Sequence, residues 1–182
     1  MKKSLTAALV AACLLLGCGK GSDGTDGSGK TYRDDVSAQA LVEAVASELA
    51  EDYWPDTTLA PEYLEELYGV SSELYEEYYG QTPMISANVD TLIVVKAQSE
   101  QKEKVEQSLK TYQEAMIQDS LQYPMNIPKI QASIIRTFGD YVCFVQLGGS
   151  MEGMEDDEEA AVKACQEMNE KALSVIEGKL TE

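Results

Sequence analysis

Residues 131–147 read QASIIRTFGDYVCFVQL, two alternating runs around Gly139-Asp140, and no other stretch restricts the fold as tightly. A Gly-first pair between apolar runs suits a two-residue hairpin turn, and that turn sets the register. Phe138 then faces Tyr141, Arg136 faces Cys143, Ile134 faces Val145 and Ala132 faces Leu147. One face of this hairpin is apolar apart from Arg136. The other mixes Gln131, Ser133, Thr137 and Gln146 with Ile135, Val142 and Phe144. A strand face open to water is normally polar, so these last three need a cover. Two covers stay open at this stage. One is the N-terminal helix; the other is a partner docking on Ile135, Val142 and Phe144 together with Tyr75, Tyr78 and Tyr79, with Phe144 as the anchor.

The remaining elements surround that hairpin. Leu41, Val45 and Leu49, flanked by Ala38, Val42 and Ala46, mark an amphipathic helix that stops before Trp54-Pro55. Pro61 suits a first helical position and Gly69 a helix end, and Ser71 or Ser72 opens a second piece to Tyr79, closed by Gly80. Glutamates alternate with tyrosines there, which reads as a solvated acidic face or as a tyrosine-rich contact surface. Residues 91–97 (TLIVVKA) form an apolar strand. A helix over 99–121 carries Val105, Leu109, Tyr112 and Met116 on one stripe, and Pro124 and Pro128 end it. The last helix has Ala161, Cys165, Met168, Ala172 and Val175 along one side, with Asp156 and Glu159 as its cap. The order is N-terminal helices and then β-α-β-β-α. That predicts an α+β fold with a small antiparallel or mixed sheet, partly ferredoxin-like, and both long helices on its apolar face.

The first residues read as an export leader: Met1-Lys2-Lys3, an uncharged run from Leu5 to Leu16, then Leu15-Leu16-Gly17-Cys18. The run is short of the roughly 20 residues a membrane span takes. Its ending resembles the lipobox of bacterial lipoproteins, which implies cleavage before Cys18, a lipid on that thiol and palmitate among its acyl chains. Val10-Ala11-Ala12-Cys13 competes for the role, but Cys18 leaves the fuller apolar region before it. The expected organisation is a signal peptide at 1–17, a Gly/Ser/Asp tether at 18–33 and one domain at 34–182. The expected location is the extracytoplasmic face of the cell membrane, held by the lipid anchor.

Charge narrows the partners. The chain carries −18, and loss of Lys2 and Lys3 with the leader takes it to −20. So acidic a body is a poor ligand for nucleic acid and for an anionic membrane surface. Histidine is absent, which removes the commonest general base and His-ligated zinc. Gly24 to Thr31 matches the phosphate-loop pattern G-x-x-x-x-G-K-[ST], but that loop needs a buried strand before it, and a leader and tether stand there instead. Ser99-Glu100-Gln101-Lys102 matches S-x-x-K without the S-D-N and K-T-G partners. The acidic run at 152–159 lacks the alternating ligands and central Gly of a calcium loop. No nucleotide, metal, cofactor or catalytic residue is therefore expected, and the chain does not read as an enzyme. Cys143 lies on the apolar sheet face and Cys165 on the helix side that covers it; a disulfide and two buried thiols both stay open.

Leu67-Tyr68-Gly69-Val70, Met84-Ile85-Ser86-Ala87 leading into TLIVVKA, the charged helix, and Ile134 to Val142 together resemble a family of small lipoproteins of Gram-positive anaerobes, characterised only as a domain of unknown function. The likeness spans about 37–177. It implies a cell-surface lipoprotein and carries over no catalytic residues. The function expected is a protein- or peptide-binding or assembly module of the envelope. The alternatives are a small solute-binding lipoprotein serving a transporter and, third, a hydrolase that works without histidine.

Overall fold

The computed structural model describes residues 30–85, 87–151, 153–154 and 156–181. Cys13, Cys18, the segment expected as a signal peptide and the expected tether up to Gly29 lie outside them. Among the described residues there are five α-helices and one five-stranded antiparallel sheet, an α+β fold. The helices are α1 (Ala38–Leu49), α2 (Pro61–Tyr68), α3 (Lys102–Gln118), α4 (Ile127–Gln131) and α5 (Glu158–Thr181). The strands are β1 (Thr57–Thr58), β2 (Tyr75–Thr82), β3 (Thr91–Ala97), β4 (Ile134–Phe138) and β5 (Tyr141–Gln146), in spatial order β1-β2-β3-β5-β4.

The hairpin register is the one its turn dictates: Phe138 opposite Tyr141, Arg136 opposite Cys143, Ile134 opposite Val145. Because β3 and β4 each run antiparallel to β5 between them, they are parallel to one another and joined through α3. That is the split β-α-β unit expected, with β2 and β1 added at the far edge. The hairpin is shorter than its alternation suggests. Ile127 to Gln131 coil into α4, so Ala132 leaves the ladder.

Three expectations are corrected. Residues 75–79 are a strand, not a helical piece. β3 is buried on both sides, and β2 satisfies its second edge, with tyrosines that favour pleated, half-buried surfaces. Gly80 does not stop a helix there: a Cβ on it would sit 3.2 Å from Ile93 and 3.3 Å from Leu59, so it marks close packing over mid-strand. The long helices do not share a face. α5 and α1 cover Leu92, Val94, Tyr141, Cys143 and Val145, whereas α2 and α3 cover Ile93, Val95, Val142 and Phe144. A sheet apolar on both faces needs a layer on each. Thus α1, weighed as the cover for the second face, closes the first one beside α5.

The domain also begins earlier than residue 34. Tyr32 is 4% exposed and meets the Phe138 ring edge-on at 5.6 Å. Its hydroxyl donates to Glu177, which also takes Lys30 at 2.6 Å, and Arg33 N–H donates to the Leu180 carbonyl. Lys30 to Arg33 therefore pack on the domain.

Candidate functional site

The sheet has two ends. At one, β4 turns into β5 at Gly139-Asp140, and the Lys30–Arg33 segment and the C-terminus of α5 meet. At the other, β5 runs out through Leu147 into Gly148-Gly149, beside the start of β3, since Thr91 pairs with Gln146. α5 is 24 residues long, about 36 Å at 1.5 Å per residue, and joins the two ends.

A charged pair is built into this second end. Asp90, directly before β3, is fully buried, and Lys129 on α4 is 3% exposed. Lys129 Nζ donates to Asp90 Oδ1 at 2.5 Å and to Asn88 Oδ1 at 3.1 Å, and lies 4.7 Å from the centre of the Trp54 ring. The other Asp90 oxygen accepts the Gly148 and Gly149 N–H groups, at 3.2 Å each. Taking two charges out of water costs several kcal/mol each, which their attraction offsets only with further hydrogen bonds; here Asp90 accepts three and Lys129 meets two acceptors and the Trp54 ring. Both glycines are needed. A Cβ on Gly148 would lie 2.6–2.9 Å from three methylenes of Lys129, and Gly149 has φ +49° with Asp52 O only 2.9 Å from where its Cβ would be.

Above this pair opens a cavity of about 700 Å³. Trp54 forms one wall and the Tyr123–Lys129 segment a second, with Met125 and Ile127. The loop after Gly149, with Met151 and Met154, and Glu158 and Ala161 of α5 form the third. The surface between is mostly apolar, and Lys129, its one basic group, is already neutralised. Thioether side chains bend to fit varied apolar shapes. Apolar surface also spreads beyond the cavity: Leu121 is 88% exposed, Met84 77% and Ile85 71%. Met84 and Ile85 follow β2 and Leu121 follows α3, which places them at this same end.

The residues singled out from sequence fall elsewhere. Val142 and Phe144 are fully buried and Ile135 half-buried, beneath α3. The Phe144 ring packs at 5.7 Å from Tyr112 and 6.1 Å from Tyr68, so the docking patch expected there is closed within the chain. Tyr75 and Tyr78 pack together on that face at 5.2 Å, with the Tyr78 hydroxyl donating to the Leu59 carbonyl, while Tyr79 lies against the opposite core. A bulge between Tyr75 and Glu77 accompanies this division. Cys143 and Cys165 are both free and buried. Burial pushes the Cys143 thiol up to about 12 and the Cys165 thiol up to about 11, so neither is a thiolate at neutral pH. Cys165 instead lies 3.6 Å from the Met151 sulfur, behind the cavity wall.

Trp54, Asp90, Lys129 and the Gly148-Gly149 pair were not expected as a group. Their only signals in sequence are an Asp just before an apolar strand, a Gly pair just after one, and a lone Lys behind Pro128.

The chain is an α+β domain with an apolar cavity at one sheet end. The model of a family described as a domain of unknown function (DUF4358) matches residues 50–147, just over half of the chain, and the chain belongs to that family. The match takes in Trp54, Asp90 and Lys129 and stops before Gly148. No curated protein and no solved structure matches the chain. Among the described residues, no helix is long and apolar enough to cross a membrane.

Proposed function

We propose that this protein is a lipid-anchored binding module of the cell envelope, tethered through Cys18 on the extracytoplasmic face, which holds an apolar segment of a protein or peptide in the cavity between Trp54, Met125 and Met151. It acts by contact, without a cofactor, a nucleotide or a catalytic residue. The observation that carries the reading is the exposed apolar surface continuous with that cavity. Tyr123 at 60%, Met125 at 62% and Leu121 at 88% are large apolar groups left in water on one short connection. Contiguous patches of that kind mark interaction sites in soluble domains.

A second reading has one observation in its favour. A volume of about 700 Å³ lies in the range of small-ligand sites, roughly 300–1,000 Å³, so the cavity suits a small apolar solute handed to a transporter. Met84, Ile85 and Leu121 favour the segment, because their surface extends further than a small molecule would cover.

The test is a photoreactive residue placed in living cells at position 125 or, at the opposite end, at position 179. The reading expects a defined crosslinked protein from 125 alone, lost when Met151→Asp puts a charge in the cavity. Equal adducts from both positions, or none from 125, would count against it. Labelling with an alkyne fatty acid checks the anchor, and label persisting in Cys18→Ala would remove it.

A further inference from the structure

Charge is arranged differently at the two ends. Where β4 turns into β5, cations stand on carboxylates: Lys30 on Glu177, Arg33 on Asp35 and Lys96 on Glu76. Around the cavity, exposed carboxylates predominate. Glu51 and Asp52 stand in the 3₁₀ turn after α1, with Asp52 against Gly149; Asp119 holds the turn after α3 through Leu121 N–H; Asp157 and Glu158 open α5. All five are exposed. Among the described residues the cations at this end are Lys129, spent on Asp90, and Lys163, which lies 3.8 Å from Glu167.

We infer that the segment bound in the cavity is cationic as well as apolar: a peptide stretch whose large apolar side chains enter between Trp54 and the methionines while flanking Lys or Arg meet the acidic rim. This rests on the binding function proposed above and adds the chemistry of the partner. Carboxylates beside an apolar opening raise the local concentration of cations and repel acidic chains over about a Debye length, ~8 Å at physiological salt. Such fields govern which partner approaches and how fast, while the buried apolar contact holds it. Methionine walls tolerate several apolar sequences, so net charge is the stricter selector at this site.

Trp54 is the single tryptophan of the chain and lines the cavity, so its emission reports occupancy directly. The experiment titrates the full chain, in nanodiscs of zwitterionic lipid, with three amphipathic peptides that share their leucine positions. Their polar positions are all Lys, all Gln or all Glu. The Lys peptide should shift Trp54 emission saturably and bind at least about tenfold more tightly than the Gln peptide at low salt, with the ratio shrinking as salt rises. Replacing Glu51→Gln and Glu158→Gln together should narrow that ratio. Equal binding of the Lys and Gln peptides would overturn the charge inference while leaving the cavity as a peptide site. Tightest binding by the Glu peptide would overturn it as well. No shift with any of the three would overturn both the inference and the function it rests on.

Discussion

Where β4 turns into β5, the aromatic rings are covered and the nearby charges paired within the chain. Tyr32 seals Phe138, Glu177 holds Lys30 and the Tyr32 hydroxyl, and the Tyr141 hydroxyl donates to the Val36 carbonyl at 2.6 Å. At the opposite end the floor is held together by Asp90, Lys129 and the two glycine amides, but the walls above it leave Trp54, Tyr123 and Met125 exposed. The difference separates what a residue does for folding from what it offers to a partner. Floor residues at the pocket end should behave like core, and wall residues like surface.

The largest effect is expected at the floor. Asp90→Ala strands the Lys129 ammonium in a buried site and should cost about 3–5 kcal/mol in urea unfolding. Asp90→Leu combined with Lys129→Met removes both charges and should recover most of that loss. If Asp90→Ala alone were neutral, the floor would not be the structural element described.

At the turn end, Tyr32→Ala uncovers Phe138 and should cost about 1.5–3 kcal/mol, the value of one buried large side chain. A neutral result would return residues 30–33 to the tether and weaken the contrast between the ends.

A smaller effect follows from pH. The hydrogen bond from Lys30 holds the Glu177 carboxyl below its ordinary value of 4.5, and that from Arg136 does the same for Glu170. Depressed values mean stability that is complete above pH 4.5 and lost as pH falls through the lower folded values. Amide protection at 30–33, taken relative to the intrinsic exchange rate at each pH, should therefore fall between pH 5 and pH 3, and salt should blunt the change, because these groups are largely exposed. Protection that stayed constant over this range would show that the ion pairs add nothing at this end.

The smallest effect on stability belongs to the walls. Leu121→Ser and Met125→Ser should shift the unfolding midpoint by no more than about 0.5 kcal/mol, as exposed positions do. Their effect should fall on binding instead. Loss of stability comparable to that of Tyr32→Ala would mean that the connection after α3 is part of the core.

Much of this architecture is legible along the chain because it is local. Gly139-Asp140 dictates the hairpin register, Pro61 and Gly69 bound α2, and Ser37 caps α1 by accepting from Ala40 N–H. Errors arise where tertiary contact decides. The tyrosines at 75–79 fit a helix or a strand equally, and only the unmet edge of β3 selects the strand. The allocation of α3 and α5 to opposite faces depends on β3, whose unbroken apolar run conceals that both of its faces are buried. The site was the least legible part. Asp90, Lys129 and Trp54 are separated by 36 and 39 residues in sequence and converge only once the sheet and α4 have formed. Phe144 illustrates the converse, an expected anchor that the rings of Tyr68 and Tyr112 cover from within.

The central claim is that the two ends divide the work, with partner contact confined to the walls around Trp54. Hydrogen–deuterium exchange of the full chain, with and without a saturating Lys/Leu amphipathic peptide, tests it most directly. The account expects new protection in 121–129 and 149–158 and unchanged exchange in 30–33 and 138–141. Protection centred on the turn end, or no protection anywhere at saturating peptide, would contradict it.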